Sequence, residues 1–313
     1  RADQLTFAGS KANALTASAL KTDGIHASGI KVTLRARHFV LAGGAINTPA
    51  LLLRSKAPDP HGLLGKRTFL HPTLVSAGLF AKPVDAYAGA PQSVYSDHFL
   101  KQAAIDGPLG FKLEAAPLHP VLFATTLHGW GETHARLMRE FANSQALLAL
   151  VRDGFHPESP GGQVSLRDDG SPLLAYPLNA TFWDAARRAL LAMAEIQFAA
   201  GATWVTPVHE STTGYTSWAE AKKGLAELAM APLLCRVVSA HVMGGCAMAD
   251  VPERGVVNDE GRHFQIDNLS IHDGSLFPTS IGANPQLSIY GLVARHAALL
   301  AAALTGKPRP AIP

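Results

Sequence analysis

Two runs near the C-terminus constrain this chain most: SAHVMGGCAM from Ser239 to Met248, and DNLSIHDGSLFPTSIGANPQ from Asp267 to Gln286. The first offers a histidine, His241, and the second an amide, Asn284. Between them, residues 255–266 set turn residues between short apolar runs, the pattern of a β-hairpin that folds the second run back beside the first. From Gln286 to Leu304 apolar residues recur at Leu287, Ile289, Leu292, Val293, Ala297 and Leu300, with Gly306 beyond, which predicts a helix starting at Asn284-Pro285. The open N–H groups of its first turn, and its dipole, favour negative charge on a bound group.

A related device lies upstream. His38 to Ala42 reads as a buried strand, Gly43-Gly44 as a turn, and Ala50 to Ser55 as helical. Strand, glycine turn and helix let backbone touch a cofactor, although an ordinary βα turn uses glycine for sterics alone. The residues by themselves leave both readings open.

Taken in this order, the runs resemble the signatures of the glucose-methanol-choline (GMC) oxidoreductases, flavoenzymes that oxidise alcohols with FAD. The resemblance implies that His241 is the active-site base and that Asn284 occupies the position where the family holds a second His or an Asn. It also implies that Ala42, Gly43 and Gly44 lie against the FAD, Asp273 and Gly274 near its ribityl or pyrophosphate portion, and Asn284, Pro285 and Gln286 against the isoalloxazine edge. Read alone, Asp273 is a turn former, Asn284-Pro285 a helix start and Cys246 a small buried residue. His71, His128 and His272 read as structural.

The fold class expected is α/β plus α+β. Residues 1–70 and 236–313 form parts of an FAD-binding Rossmann-type domain, and residues 71–235 form an antiparallel-sheet substrate domain. Residues 1–37 predict a β-meander, with turns at Gly9-Ser10, Asp23-Gly24 and Ser28-Gly29. Strands are predicted over 73–80, 110–116, 146–152, 163–167 and 173–176, and helices over 131–143, 181–200 and 218–230. No G-x-G-x-x-G run occurs in the sequence. The resemblance puts that turn upstream, so the nucleotide-binding front is expected to be missing and to be supplied by a further segment or a complementing chain.

The chemistry follows from the residue types. Oxidising an alcohol needs a base for the hydroxyl proton and an acceptor for hydride, and a base working near neutrality favours histidine. Gly244-Gly245 is expected to leave space beside His241. An amide at Asn284 orients the substrate oxygen and stabilises developing alkoxide charge. The runs at 69–72, 92–96 and 151–153 resemble the long-chain-alcohol-oxidising branch. The side chains of Phe80, Tyr95, Phe111, Phe123, Trp130 and Phe155 are candidates for a greasy pocket, which makes an apolar primary alcohol the expected substrate. A hydroxynitrile lyase on the same scaffold, and a non-catalytic piece needing another polypeptide, stand as alternatives.

Composition excludes other classes. The net charge of +3 comes from scattered Lys and Arg, with no basic run interleaved with aromatics, which argues against nucleic-acid binding. No stretch reaches about 18 uninterrupted apolar residues, so no membrane-spanning segment is expected. Two cysteines, in no metal-ligand spacing, argue against a metal site and suit a reducing, cytoplasmic compartment.

Overall fold

The computed structural model describes residues 1–90, 92–127 and 129–309. His128 and the last residues of the tail lie outside them. In chain order the strands are β1 (Ala2–Ala8), β2 (Lys11–Leu20), β3 (Ala27–Leu34), β4 (Phe39–Leu41), β5 (Lys66–Thr68), β6 (Thr73–Phe80), β7 (Tyr95–Ser96), β8 (Phe111–Ala116), β9 (Ser144–Val151), β10 (Gly162–Leu166), β11 (Pro172–Ala175), β12 (Ala202–Pro207) and β13 (Leu269–Ile271). The α-helices are α1 (Gly44–Arg54), α2 (Pro120–Thr126), α3 (Gly131–Arg139), α4 (Ala180–Ala199), α5 (Trp218–Glu227) and α6 (Gln286–Thr305).

The chain divides into two compact units, one comprising residues 1–70, 160–177 and 241–313, the other residues 71–159 and 178–240. In the first unit, β1, β2 and β3 form the meander expected from the alternating pattern. Ser28-Gly29 lies inside β3 rather than at a turn. The chain reverses earlier, where Lys21 N donates to His26 O at 2.8 Å and the Asp23 carboxylate accepts from Ile25 N and His26 N. Leu5 of β1 is buried in a core with Leu41, Leu52, Val257 and Ile271. β3 is exposed along its whole length, and Ile30, Val32 and Leu34 share one of its faces by the two-residue period of a strand.

Strand β4 pairs in parallel with β13. Helix α1 starts at Gly44, well before the helical stretch expected from Ala50, and includes Pro49 at the cost of one internal hydrogen bond. The hairpin β10–β11, read from sequence as part of the middle region, belongs to the first unit because β10 pairs with β5. Residues 255–266 make a tight turn rather than a ladder. Asn258 Oδ1 accepts from Glu260 N and Arg262 N, and a single antiparallel bridge joins Val257 to His263.

Helix α6 begins and ends as its pattern predicts, with Gly306 left-handed at φ +68°. It is also long and apolar enough to cross a membrane by length and composition, with a mean hydropathy of 1.6 over a window that is 11% buried. Arg295 interrupts its apolar run without lowering the mean far. His296, in the middle of the helix, is buried and its Nε2 lies 3.0 Å from Asp259 O.

The second unit is a five-stranded antiparallel sheet in the order β12-β6-β9-β8-β7. Alternation along β6 assigns its two faces. Leu74 joins Phe111, Leu113 and Ala149 against α4 and α5, and Ser76 Oγ donates to Gln197 Oε1 of α4 at 2.7 Å. Val75 and Ala77 join Phe123, Leu127 and Leu137 of the α2–α3 region on the opposite face. Asn179 caps α4 by accepting from Phe182 N, and Gly201 ends it. Strand β12 escapes sequence reading because a helix stop and a Thr206-Pro207 turn signal crowd its ends.

Candidate active site

The catalytic and cofactor-binding residues expected from sequence all fall in the first unit, and the six aromatic pocket candidates fall in the second. Strands β4 and β13, side by side and parallel, run into two glycine-bearing turns at the same end, and His272 N donates to Leu41 O at 2.8 Å as they separate. Asp273 bolts the turns together. Its Oδ2 accepts from Gly44 N at 2.9 Å and from Thr48 Oγ1 at 2.6 Å, while its Oδ1 accepts from Ser275 N at 2.8 Å and Ser275 Oγ at 2.5 Å. Thr48 Oγ1 in turn accepts from Gly43 N at 2.9 Å. A buried carboxylate is stable only when so satisfied. Both oxygens of Asp273 are therefore committed within the protein.

Sequence reasoning missed Thr48 and Ser275. The available signal was a hydroxyl residue one position before Pro49, and another two positions after Asp273, where an Asx turn forms.

The histidine run lies in a slot between two segments of this unit. On one side Met243 and Phe69 exchange backbone hydrogen bonds at 2.9 and 2.7 Å. On the other, Gly244 N donates to Gly274 O at 3.0 Å, Cys246 N to Ser275 O at 3.0 Å and Met248 N to Leu276 O at 2.8 Å. The second run does fold back beside the first. Gly244 and Gly245, however, leave no space for a ligand. A Cβ on Gly244 would lie 2.0 Å from Arg67 O, and one on Gly245 would lie 2.9 Å from Thr68 Oγ1 and 3.1 Å from Pro49 Cγ. The pair exists so that β5 and α1 can approach the run, and that corrects the expectation of an open gap.

Gly274 is where the histidine and the amide segments meet. A Cβ there would sit 3.3 Å from Val242 O and 3.3 Å from Ile289 Cδ1. Val242 follows His241, and Ile289 lies in the first turn of α6, just past Asn284; both His241 and Asn284 are half-buried. Pro285 is buried at the helix start, and the exposed Gln286 donates from Nε2 to Tyr290 Oη at 2.8 Å. Gly44 differs from the packed glycines. Its φ is +79° and a Cβ on it would meet nothing within 4 Å, while Ala42 and Gly43 are exposed.

A cluster of buried imidazoles lies behind the turns. The rings of His272 and His296 are 5.8 Å apart, and His38 Nε2 is 3.0 Å from Ser270 Oγ. Burial pushes His272 down to about 4, with His296 and His38 adding to the shift, and burial likewise pushes His263 to about 4. Burial thus favours the neutral form of both rings. Cys246 and Cys235 are free and buried, and burial raises both thiols, Cys235 to about 12. Among the described residues no group of three or more His, Cys, Asp or Glu is placed to hold a metal ion.

Two glycine-bearing turns and the histidine run thus come together in the first unit. Sequence models described as GMC oxidoreductase match residues 1–73, by the N-terminal model, and residues 157–292, by the C-terminal one. The chain belongs to the GMC oxidoreductase family, whose cofactor is FAD.

Among its relatives is an uncharacterised GMC-type oxidoreductase of Sinorhizobium fredii, 26% identical over 86% of this chain and 50% of the relative. A long-chain-alcohol oxidase of Arabidopsis thaliana is 25% identical over 83% of this chain and 36% of the relative. A cholesterol oxidase of Acinetobacter baumannii is 49% identical over 57 residues, 18% of this chain and 10% of its own. The chain thus spans half or less of the length of these relatives. The fold matches that of formate oxidase with a TM-score of 0.67 at 15% identity, over 97% of this chain and 60% of that one. The residues present fit the family's cofactor at one place in particular, the turn Ala42-Gly43-Gly44, where Ala42 and Gly43 are exposed and the missing Cβ of the half-buried Gly44 faces open space.

Proposed function

We propose that the chain serves an FAD-dependent oxidation of an alcohol to an aldehyde or ketone, with an apolar primary alcohol as substrate. The observation that carries this reading is the meeting of the histidine run and the start of α6 on Gly274, beside a glycine turn that Asp273 and Thr48 hold open. Bound FAD supplies the acceptor for the hydrogen leaving carbon. His241 takes the hydroxyl proton on an imidazole nitrogen. Asn284 donates an amide N–H to the substrate oxygen, which orients the carbinol and stabilises the negative charge that grows there.

Ala42, Gly43 and Gly44 hold the cofactor through backbone, and Asp273 and Gly274 act by fixing that turn. Pro285 and Gln286 open a helix whose positive end favours negative charge on the bound ring. The names of the long-chain-alcohol and cholesterol oxidases among the relatives support an apolar alcohol. Of the six aromatics expected to line its pocket, Phe111 and Phe123 are core and Tyr95 lies under Lys112 Nζ at 4.3 Å. In the flavin-loaded protein, His241→Ala should slow anaerobic reduction of the flavin by an alcohol about a hundredfold to ten-thousandfold, the usual worth of a general base. Unchanged reduction removes His241 from the mechanism, and no bleaching of wild-type flavin by any alcohol favours a lyase.

A second reading concerns assembly. Leu287 and Tyr290 of α6 are 81% and 60% exposed, and Ile30, Val32 and Leu34 of β3 are exposed as well. Apolar surface on this scale favours a covering partner. A polypeptide segment carrying the glycine-rich nucleotide turn fits that role, so the chain alone should retain FAD weakly. Tight, stoichiometric FAD on the isolated chain would sink this second reading while leaving the first intact.

A further inference from the structure

The second unit also holds a crevice. Its volume is about 1330 Å³, and among the described residues it is lined by the ends of β6 and β12, by α3 and by the loop 210–216. Typical small-ligand pockets span roughly 300–1,000 Å³, so this one admits a ligand of more than one ring. None of its lining residues is among the candidate site residues of the first unit. Leu79 and Phe80 of the lining lie at the far end of β6 from Thr73, about 20 Å along the strand at its usual rise.

The wall is built rather than loose. Val205 N donates to Tyr215 O at 2.9 Å and Tyr215 N to Val205 O at 2.8 Å, which ties the loop to β12. Gly214, at φ +97°, lies flat on the indole of Trp204, where a Cβ would fall 2.4 Å from Nε1. The loop therefore keeps Trp204 as a fixed wall. At the mouth Trp130 is 89% exposed, an unusual position for the largest apolar side chain.

The polar lining selects the ligand's chemistry. Five threonines line the crevice, with three carboxylates (Glu132, Glu140, Glu210) and two guanidinium groups (Arg136, Arg236). Arg236 Nη1 already donates to Thr125 O at 2.8 Å, and its Nη2 lies 3.8 Å from Glu210 Oε1, which fixes the head group. With both signs present in nearly equal number, neither an anion nor a cation is favoured. A hydroxyl group suits such a wall, because it donates to a carboxylate and accepts from a guanidinium at once. A saccharide ring adds an apolar C–H face that covers an indole. A purely aliphatic ligand would desolvate the charges and give nothing back.

We propose that this crevice binds a neutral saccharide of two or more rings, with Trp130 as the stacking platform and Arg136, Arg236 and Glu210 as hydroxyl partners. The site stands apart from the flavin reading and neither requires the other.

The test is equilibrium binding to the full chain by tryptophan fluorescence and calorimetry. The probes are maltotriose and cellotriose, with 1-octanol and inorganic phosphate beside them. Saturable binding of at least one trisaccharide is expected, weakened about tenfold or more by Trp130→Ala and by Arg136→Ala. Both side chains lie at the surface of the crevice, and an unchanged urea midpoint checks that the variants fold. Absence of saturable binding by both trisaccharides overturns the proposal. So does binding indifferent to Trp130→Ala, or octanol or phosphate binding more tightly than either sugar. Because the readout is binding and not turnover, failure here leaves the flavin chemistry untouched.

Discussion

Replacing Asp273 by asparagine tests the bolt that joins the two turns. The change keeps size and shape and alters only one atom's hydrogen-bonding sense. The amide oxygen can still accept from Ser275 N and Ser275 Oγ, but the NH₂ then faces Gly44 N at 2.9 Å and Thr48 Oγ1 at 2.6 Å, both donors to the carboxylate now. Two charge-assisted hydrogen bonds, worth about 1.5–3 kcal/mol each, are lost, and the Gly44 N–H is left without an acceptor. The loss should be about 3–6 kcal/mol, a large share of the roughly 5–15 kcal/mol that holds an ordinary domain.

Four tryptophans, at positions 130, 183, 204 and 218, all lie in the second unit, so their fluorescence follows that unit alone. Hydrogen exchange read by mass spectrometry should show peptides spanning 39–54 and 268–280 losing protection in Asp273→Asn, while tryptophan-bearing peptides keep theirs. Wild-type exchange at Gly44 in the variant, with an unshifted urea midpoint for the first unit, would refute the bolt.

Gly244→Ala should cost about 3–5 kcal/mol and deplete soluble protein, because a Cβ would lie 2.0 Å from Arg67 O on a backbone at φ +86°; a urea midpoint within error of wild type contradicts this. Stability should fall on acidification from pH 6.5 to about 4. Folded His272 and His263 stay neutral down to about 4 while the unfolded chain takes up protons below about 6.5, so each contributes up to about 3 kcal/mol above that window, less where water reaches the ring. Urea midpoints that do not change between pH 7.5 and 4.5 would contradict it, and His272→Gln should flatten the slope. Cys235 and Cys246 should resist a thiol reagent in native buffer and both react in denaturant, given their burial and raised thiols.

The candidate site was legible wherever a motif sets local backbone. The helix start at Pro285, the turn at Gly43-Gly44 and the return of residues 274–276 to the histidine run all follow from glycine, proline and apolar spacing close in the chain. The role of Gly244-Gly245 was not legible, since a missing side chain looks the same whether a ligand or Arg67 fills the space. Trp130 and Phe80, read as lining for a greasy pocket, do line a crevice, but one with carboxylates and guanidinium groups brought in from α3 and Glu140, from the 210–216 loop and from Arg236.

By itself the sequence determined the strand and helix periods, the caps and the order of the signature runs, because those are set by neighbours a few residues apart. Only the tertiary structure decided that Asp273 spends both oxygens on Gly44, Thr48 and Ser275, that β10 joins β5, and that β12 completes the edge of the large sheet. Those outcomes depend on groups that are far apart in the chain, up to 229 residues between Gly44 and Asp273, and buried polar atoms take whichever partner the packing brings within reach.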